Sequence, residues 1–267
     1  MSVLSGCSQA APGTMTLVTG GMFRNTKSAF FGSTISLEDF YIGVYEVTQK
    51  EWTEIMGSNP SRFKGDNLPV EMVTWYECVE YCNKLSVKEG LQPFYRIDKE
   101  HPDPNNMSPD DDLRWTVTVN AGADGYRLPF EAEWEYAAAG GQLSKSCTYS
   151  GSFNLDDVGW YWRNAGRNYL SGFWNWPAID NNNNSTQPVG GKQPNELGLY
   201  DMAGNVREWC WEWYGDPGSG SIAGGSVRVW RGGGWIGAEQ ACETTFRGKY
   251  EPCNRGPDQG FRVCRSR

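Results

Sequence analysis

The chain has 267 residues, 39% of them hydrophobic, so it can bury a core, and its formal net charge of −8 makes nucleic acid a poor partner. The 13 Trp, 13 Tyr and 11 Phe exclude a disordered chain. The 33 Gly and the scarcity of long periodic segments point to an irregular, loop-rich domain rather than a bundle or repeat array.

Residues 1–13 read as a linker, and the domain runs from 14 to 267. Within the linker, Leu4-Ser5-Gly6-Cys7 resembles a bacterial lipobox. On that reading residues 1–6 are a signal remnant and Cys7 is the acylated first residue. The chain would then be a lipoprotein of the bacterial cell surface or outer membrane, touching the membrane through the lipid on Cys7. No stretch of 18 apolar residues spans a bilayer.

The residues from Thr14 to Phe23 read as a strand entering a Gly-Gly turn, and Phe40 to Tyr45 as a second strand. The segment from Val47 to Met56 reads as a helix. Thr48 caps it, Glu51 completes a capping box, and Gly57 ends it. Thr74 caps a second helix, with Val79, Cys82 and Leu85 at helical spacing and Gly90 as its stop. Tyr95 to Ile97 and Trp115 to Val119 read as strands around an exposed acidic loop that holds the lone histidine, His101. Pro129 starts a third helix that carries Glu131 and Glu133 in its first turns and stops at Gly140. Residues 142–195 are irregular.

The segment from Val227 to Arg267 carries the functional question. Val227, Val229 and Trp230 alternate with Arg228 and Arg231 as in a half-buried strand, and Gly260 to Arg265 alternates again. Between them the residues from Ile236 to Gln259 follow no period, and such a loop between strands is where scaffolds place chemistry or recognition. One histidine excludes His-dependent triads and His-rich zinc sites. The eight cysteines contain no CxxC pair, and Cys78 and Cys82 share a helix face as small buried apolar residues.

Arg127-Leu128-Pro129 through Gly141, Pro194 through Trp209, Arg228 through Trp235 and the terminal Gly260-Phe261-Arg262 resemble, in order, the motifs of the formylglycine-generating enzyme family, also called the sulfatase-modifying-factor domain. The resemblance covers about Met15 to Arg265 and implies an irregular α+β domain of the C-type-lectin type. Enzymes of that family hold copper on two cysteines; the second position falls on Cys242 and the first on Gly237. A non-enzymatic branch, the variable proteins of diversity-generating retroelements, spaces its closing segment as Trp235, Cys242, Arg247, Pro252, Arg255 and Gly260 are spaced here.

That branch implies a surface-displayed binding protein, requiring no cofactor, whose variable region is about 227–264. Its ligand would be a protein or another cell-surface molecule. The alternative is a copper-dependent oxidase that converts a substrate cysteine to formylglycine. Trp230, Trp235, Arg231, Arg247, Arg255, Phe261 and Arg262 have the character of fixed anchors. The expected ligand contacts are Ile236, Gly237, Ala238, Glu239, Ala241, Phe246, Gly248, Lys249, Tyr250, Glu251, Asn254, Gly256, Pro257 and Asp258. Adenine-directed variation of Asn-type codons does not yield the Glu or Lys found at Glu239, Lys249 and Glu251. The resemblance also implies a structural calcium on Asp201, Gly204, Val206 and Glu208.

Overall fold

The computed structural model describes residues 13–24, 32–216 and 222–267. The lipobox, with Cys7, lies outside the described residues. Strands β1 (Met15–Val18), β2 (Gly21–Arg24), β3 (Thr34–Leu37) and β4 (Phe40–Gly43) come first, then helices α1 (Gln49–Met56) and α2 (Trp75–Lys88). Next are β5 (Tyr95–Pro102), β6 (Trp115–Val119), β7 (Tyr126–Arg127), α3 (Glu131–Ala138), α4 (Leu155–Val158) and α5 (Trp176–Asn181). The chain closes with β8 (Arg207–Trp213), β9 (Arg228–Arg231), β10 (Gly248–Tyr250), β11 (Gln259–Gly260) and β12 (Cys264–Ser266).

Two four-stranded sheets organise these pieces, one in the order β1-β4-β12-β7 and the other β10-β9-β8-β11. The terminal segment passes from one sheet to the other. Gln259 and Gly260 pair with Arg207 and Glu208 in one, and Cys264 pairs with Ile42 and Arg127 in the other. Local chemistry sets the helix ends. Thr48 and Thr74 each take a backbone N–H into their hydroxyl while Glu51 and Glu77 accept from the cap residues, and each such cap stabilises its helix by about 1 kcal/mol. The largest buried cluster stacks Trp52 on Tyr81 and sets Phe261 edge-on to both. Cys78 and Cys82 are both fully buried in α2 with free thiols.

Several expectations are corrected by packing. The acidic loop after Ile97 is shorter than its composition suggests: β5 continues to Pro102, so His101 sits in a strand, and Asn106 and Asp111 are buried around the Tyr76 hydroxyl. β9 does not alternate. Arg228 and Arg231 are as buried as Val229, because arginines here serve the core. The expected single strand from Gly260 to Arg265 is two short strands broken at Phe261–Val263. Helix α3 is buried on every side, and each of its three glutamates meets an arginine from elsewhere. Arg247 pairs with Glu131 at 2.5 Å, Arg127 with Glu133 at 2.6 Å, and Arg231 with Glu135. Buried charges persist only when paired in this way.

Candidate functional site

The segment after β9 is turned out of its sheet by Gly232 and Gly233, whose φ angles of 88° and 72° are closed to most side chains. It is then pinned from beneath. Trp235 N donates to Asn205 O at 2.8 Å and Trp235 Nε1 to Pro257 O at 2.8 Å. A 3-10 turn over Glu239–Cys242 follows. Between this turn and the sheet lies a cleft of about 380 Å³, lined by Trp174, Arg207, Trp230, Gly233, Gly234, Ile236, Gly237, Ala238, Ala241 and Asp258.

The polar centre of the cleft is Arg207, whose Nη2 donates to Asp258 Oδ1 at 2.5 Å. Its guanidinium also lies over the rings of Trp230, at 5.1 Å, and Tyr250, at 5.3 Å. The parallel pairing of β11 with β8 fixes this pair, since Arg207 N also donates to Asp258 O. The apolar wall is Ile236 with Trp174, whose Nε1 donates to Ile236 O at 2.8 Å. Trp174 belongs to an aromatic stretch that stays in water: Phe173 is 95% exposed, and Tyr169 and Trp176 are also exposed. At the rim, Glu239 accepts from Arg163 and from Trp162 Nε1.

Support comes from below. Phe63 meets Trp235 edge-on at 5.4 Å, and Phe63 N donates to Glu71 Oε1 at 2.8 Å. Glu71 is fully buried, its Oε2 has no partner, and burial pushes its carboxyl up from 4.5 to about 7. Between these two values the folded chain keeps a proton that the unfolded chain has released. Stability from this group is therefore greatest below pH 4.5 and declines as pH rises to 7. Glu71→Gln is expected to flatten that slope and to raise stability above pH 7 by about 1–2 kcal/mol. Urea melts of both chains at pH 5 and pH 8 check this; an unchanged slope in the variant would refute it.

The structure brings Ile236, Gly237, Ala238, Ala241 and Asp258 together in the cleft, with Glu239 at its rim. Phe246 packs against Trp230, and Lys249 and Tyr250 lie on β10 rather than in an unordered loop. Asn254 folds back on Glu251, donating to it at 2.7 Å. Three expected contacts are not free surface. Gly248 is buried against the Trp230 ring, Gly256 is buried with its carbonyl taken by Met72 N, and Asp258 is spent largely on Arg207. Pro257 lends its carbonyl to Trp235. The anchors stand as expected: Arg255 reaches Glu77 and Met72 O, and Arg262 and Arg231 are wholly buried in ion pairs. Trp174 and Arg207 come from outside the C-terminal segment. Their sequence signals were the aromatic run from Phe173 to Trp176 and the charge at Arg207 beside a dense turn.

Each implied metal would find part of its donor set missing or already engaged. Glu208 has both oxygens engaged, accepting from Arg262 Nε and Nη2 and from Trp134 Nε1. Asp201 Oδ2 accepts from Gly190, so only Asp201 Oδ1 is left without a partner. Calcium at Asp201, Gly204, Val206 and Glu208 would therefore rest on Asp201 Oδ1 and the Gly204 and Val206 carbonyls, because the Arg262 guanidinium already engages Glu208. For copper, Gly237 carries no sulfur and Cys242 is fully buried, with burial pushing its thiol up. Cys253 turns instead toward Asp110 O.

One antiparallel and one mixed four-stranded sheet, buried arginine–glutamate pairs and a glycine-turned C-terminal cleft define an irregular α+β protein of the C-type-lectin kind built by formylglycine-generating enzymes. The chain belongs to the sulfatase-modifying factor enzyme 1-like domain family, whose model matches residues 3–267. It is 54% identical over 268 residues to the Chaperone protein LppX of Paenibacillus barcinonensis, covering 99% of this chain and 95% of that one. It is 34% identical over 161 residues to the formylglycine-generating enzyme of Streptomyces coelicolor, covering 55% of this chain and 48% of the enzyme. Among solved structures, Treponema denticola variable protein 1 superposes with a TM-score of 0.77 at 34% identity, over 95% of both chains. No helix among the described residues is long and apolar enough to cross a membrane.

Proposed function

We propose that this chain is a binding protein, not an oxidase, and that its C-terminal face holds polypeptide ligands. The observation that carries the proposal is the cleft itself. It occupies the position of the family's chemistry, yet Gly237 leaves Cys242 without a partner thiol and the lining is aromatic, apolar and glycine-rich. A chaperone's name on a relative that is 54% identical supports a polypeptide as the ligand. A lipid on Cys7 would tether such a holder at the cell surface, where exported chains emerge unfolded. The finer expectation, diversification by a retroelement, rests on the intervals from Trp235 to Gly260. It would be confined to outward positions such as Ala238 and Ala241, because Gly248, Gly256 and Asp258 are held by packing.

The test is a light-scattering assay in which a guanidinium-unfolded secreted enzyme is diluted into buffer with or without the full chain. Suppression of aggregation near equimolar ratio is expected, with loss of the effect in Ala238→Trp, which fills the cleft from an exposed position. Equal activity of that variant, or no suppression by the parent chain, would sink the proposal. So would aldehyde formation on a cysteine-containing sulfatase-type peptide supplied with copper.

A further inference from the structure

The cleft contains hydrogen-bonding capacity that the protein does not use. Trp230 is nine-tenths buried and lines the cleft, yet its Nε1 has no acceptor. Arg207 spends Nη2 on Asp258 Oδ1 while its Nε, also buried, has no partner. Among the described residues neither Arg207 Nη1 nor Asp258 Oδ2 forms a hydrogen bond. Leaving buried donors unmet is costly, and natural folds retain few of them. The pair thus offers a donor beside an acceptor, which is the complement of one residue of an extended chain, whose own N–H and C=O point to the same side.

The surroundings suit the same ligand. Gly233, Gly234 and Gly237 line the cleft with bare main chain, because a Cβ at Gly233 would meet Ala241 O and Cys242 Sγ and one at Gly234 the Asp258 carboxylate. Trp174 and Ile236 form an apolar wall beside them, and exposed Phe173 extends it into solvent. At about 380 Å³ the cleft lies at the small end of ligand pockets, room for one large side chain and its flanking amides rather than for a folded surface. A sugar ring would need partners for several hydroxyls around its edge, and the side chains of the lining offer chiefly the Arg207–Asp258 pair.

We infer that the cleft binds an extended polypeptide segment through the main-chain N–H and C=O of one residue, clamped by Asp258 and Arg207, and one aromatic or large apolar side chain laid against Trp174 and Ile236. This rests on the polypeptide-holding reading above and adds what is recognised: a local feature of unfolded chains, an accessible amide next to an apolar side chain. Folded proteins bury that combination, which would make the cleft selective for chains that have not yet folded.

The experiment titrates the full chain with N-acetylphenylalanine methylamide, N-acetylglycine methylamide, p-cresol and N-acetylglucosamine. The readouts are the Trp174 indole N–H and Arg207 Nε–H resonances. The capped phenylalanine is expected to shift both signals and to saturate at millimolar concentration, at least several-fold tighter than the capped glycine or p-cresol. Arg207→Lys and Trp174→Ala should each weaken it about fivefold or more, the scale of one lost hydrogen bond or one lost apolar contact. If p-cresol binds as tightly as the capped phenylalanine and Arg207→Lys changes nothing, the amide clamp is wrong. If the sugar alone binds, or no probe binds, the inference fails. Should that happen while Ala238→Trp still abolishes suppression of aggregation, the binding face stands and only this account of what it reads is lost. Unchanged amide spectra away from the cleft confirm that each variant is folded.

Discussion

Arg262→Met is expected to destabilise the chain by about 3–5 kcal/mol, enough to unfold a marginal domain, because it strands a buried carboxylate. Arg262 and Glu208 are both completely buried, and the guanidinium meets the carboxylate twice, at 2.6 and 2.7 Å. Nη1 also donates to Gly43 O and Nη2 to Tyr200 O, both at 2.9 Å, so one side chain ties β4, the turn before β8 and the crossing between the sheets. Glu46 and Asp201 add two further buried carboxyls to the same site. Burial pushes Asp201 up to about 6 and Glu46 well above the usual carboxylate range. Arg262 is thus the countercharge of a cluster, not half of an isolated pair. Urea unfolding of Arg262→Met and of the double variant Arg262→Met with Glu208→Gln checks this. The double variant should recover part of the loss, since it removes the stranded charge along with its partner. If the single variant costs under about 1 kcal/mol, the pair is not a structural requirement.

That arginine also shows where sequence reading stops. Capped helices were legible because their signals are local. Thr48 with Glu51, and Thr74 with Glu77, lie three residues apart, and the structure closes both boxes. Arg228 and Arg231 alternate with apolar residues, a pattern in which charge ordinarily marks the wet face, yet both are buried, as is Arg262. Their partners lie far away in sequence: Glu135 is 96 residues from Arg231, and Glu208 is 54 from Arg262. Among the described residues Arg228 forms no ion pair, and it is held between Trp75 and Trp213, with its centre 3.9 and 3.6 Å from the two ring centroids. No window of neighbouring residues contains that information. Ordered motifs did reveal the family, because they mark the fixed anchors. The cleft was half legible for the same reason. Ile236, Ala238 and Ala241 belong to the segment that spacing singled out, whereas Trp174 and Arg207 arrive there through tertiary packing. The calcium pattern has the same limit, because a pattern of ligand types does not reveal that Arg262 engages Glu208.

Gly248→Ala is the second change with a large expected effect, and it separates a scaffold position from a recognition position within one short segment. A Cβ at Gly248 would stand 1.9 Å from Trp230 Cε2 and 2.0 Å from Cζ2. Atoms cannot approach so closely, so either the Trp230 ring tilts or β10 lifts from β9, where Gly248 pairs with Trp230. Overpacking of this kind costs about 1–3 kcal/mol or more. Lys249→Ala, one residue along and exposed, should stay within about 0.5 kcal/mol of the parent. The function should follow the packing. Trp230 lines the cleft and carries Arg207 over its face, so displacing the ring moves the amide clamp. Gly248→Ala is therefore expected to weaken capped-phenylalanine binding even under conditions where the variant remains folded, while Lys249→Ala leaves it unchanged. Thermal melts and the same titration distinguish the outcomes. If Gly248→Ala melts with the parent and binds normally, β10 is loosely held and Gly248 belongs with the positions free to vary. If it loses both, the segment from Trp235 to Gly260 divides at β10. Residues around the 3-10 turn would then be open to change, while those from Gly248 onward serve the sheet that shapes the cleft.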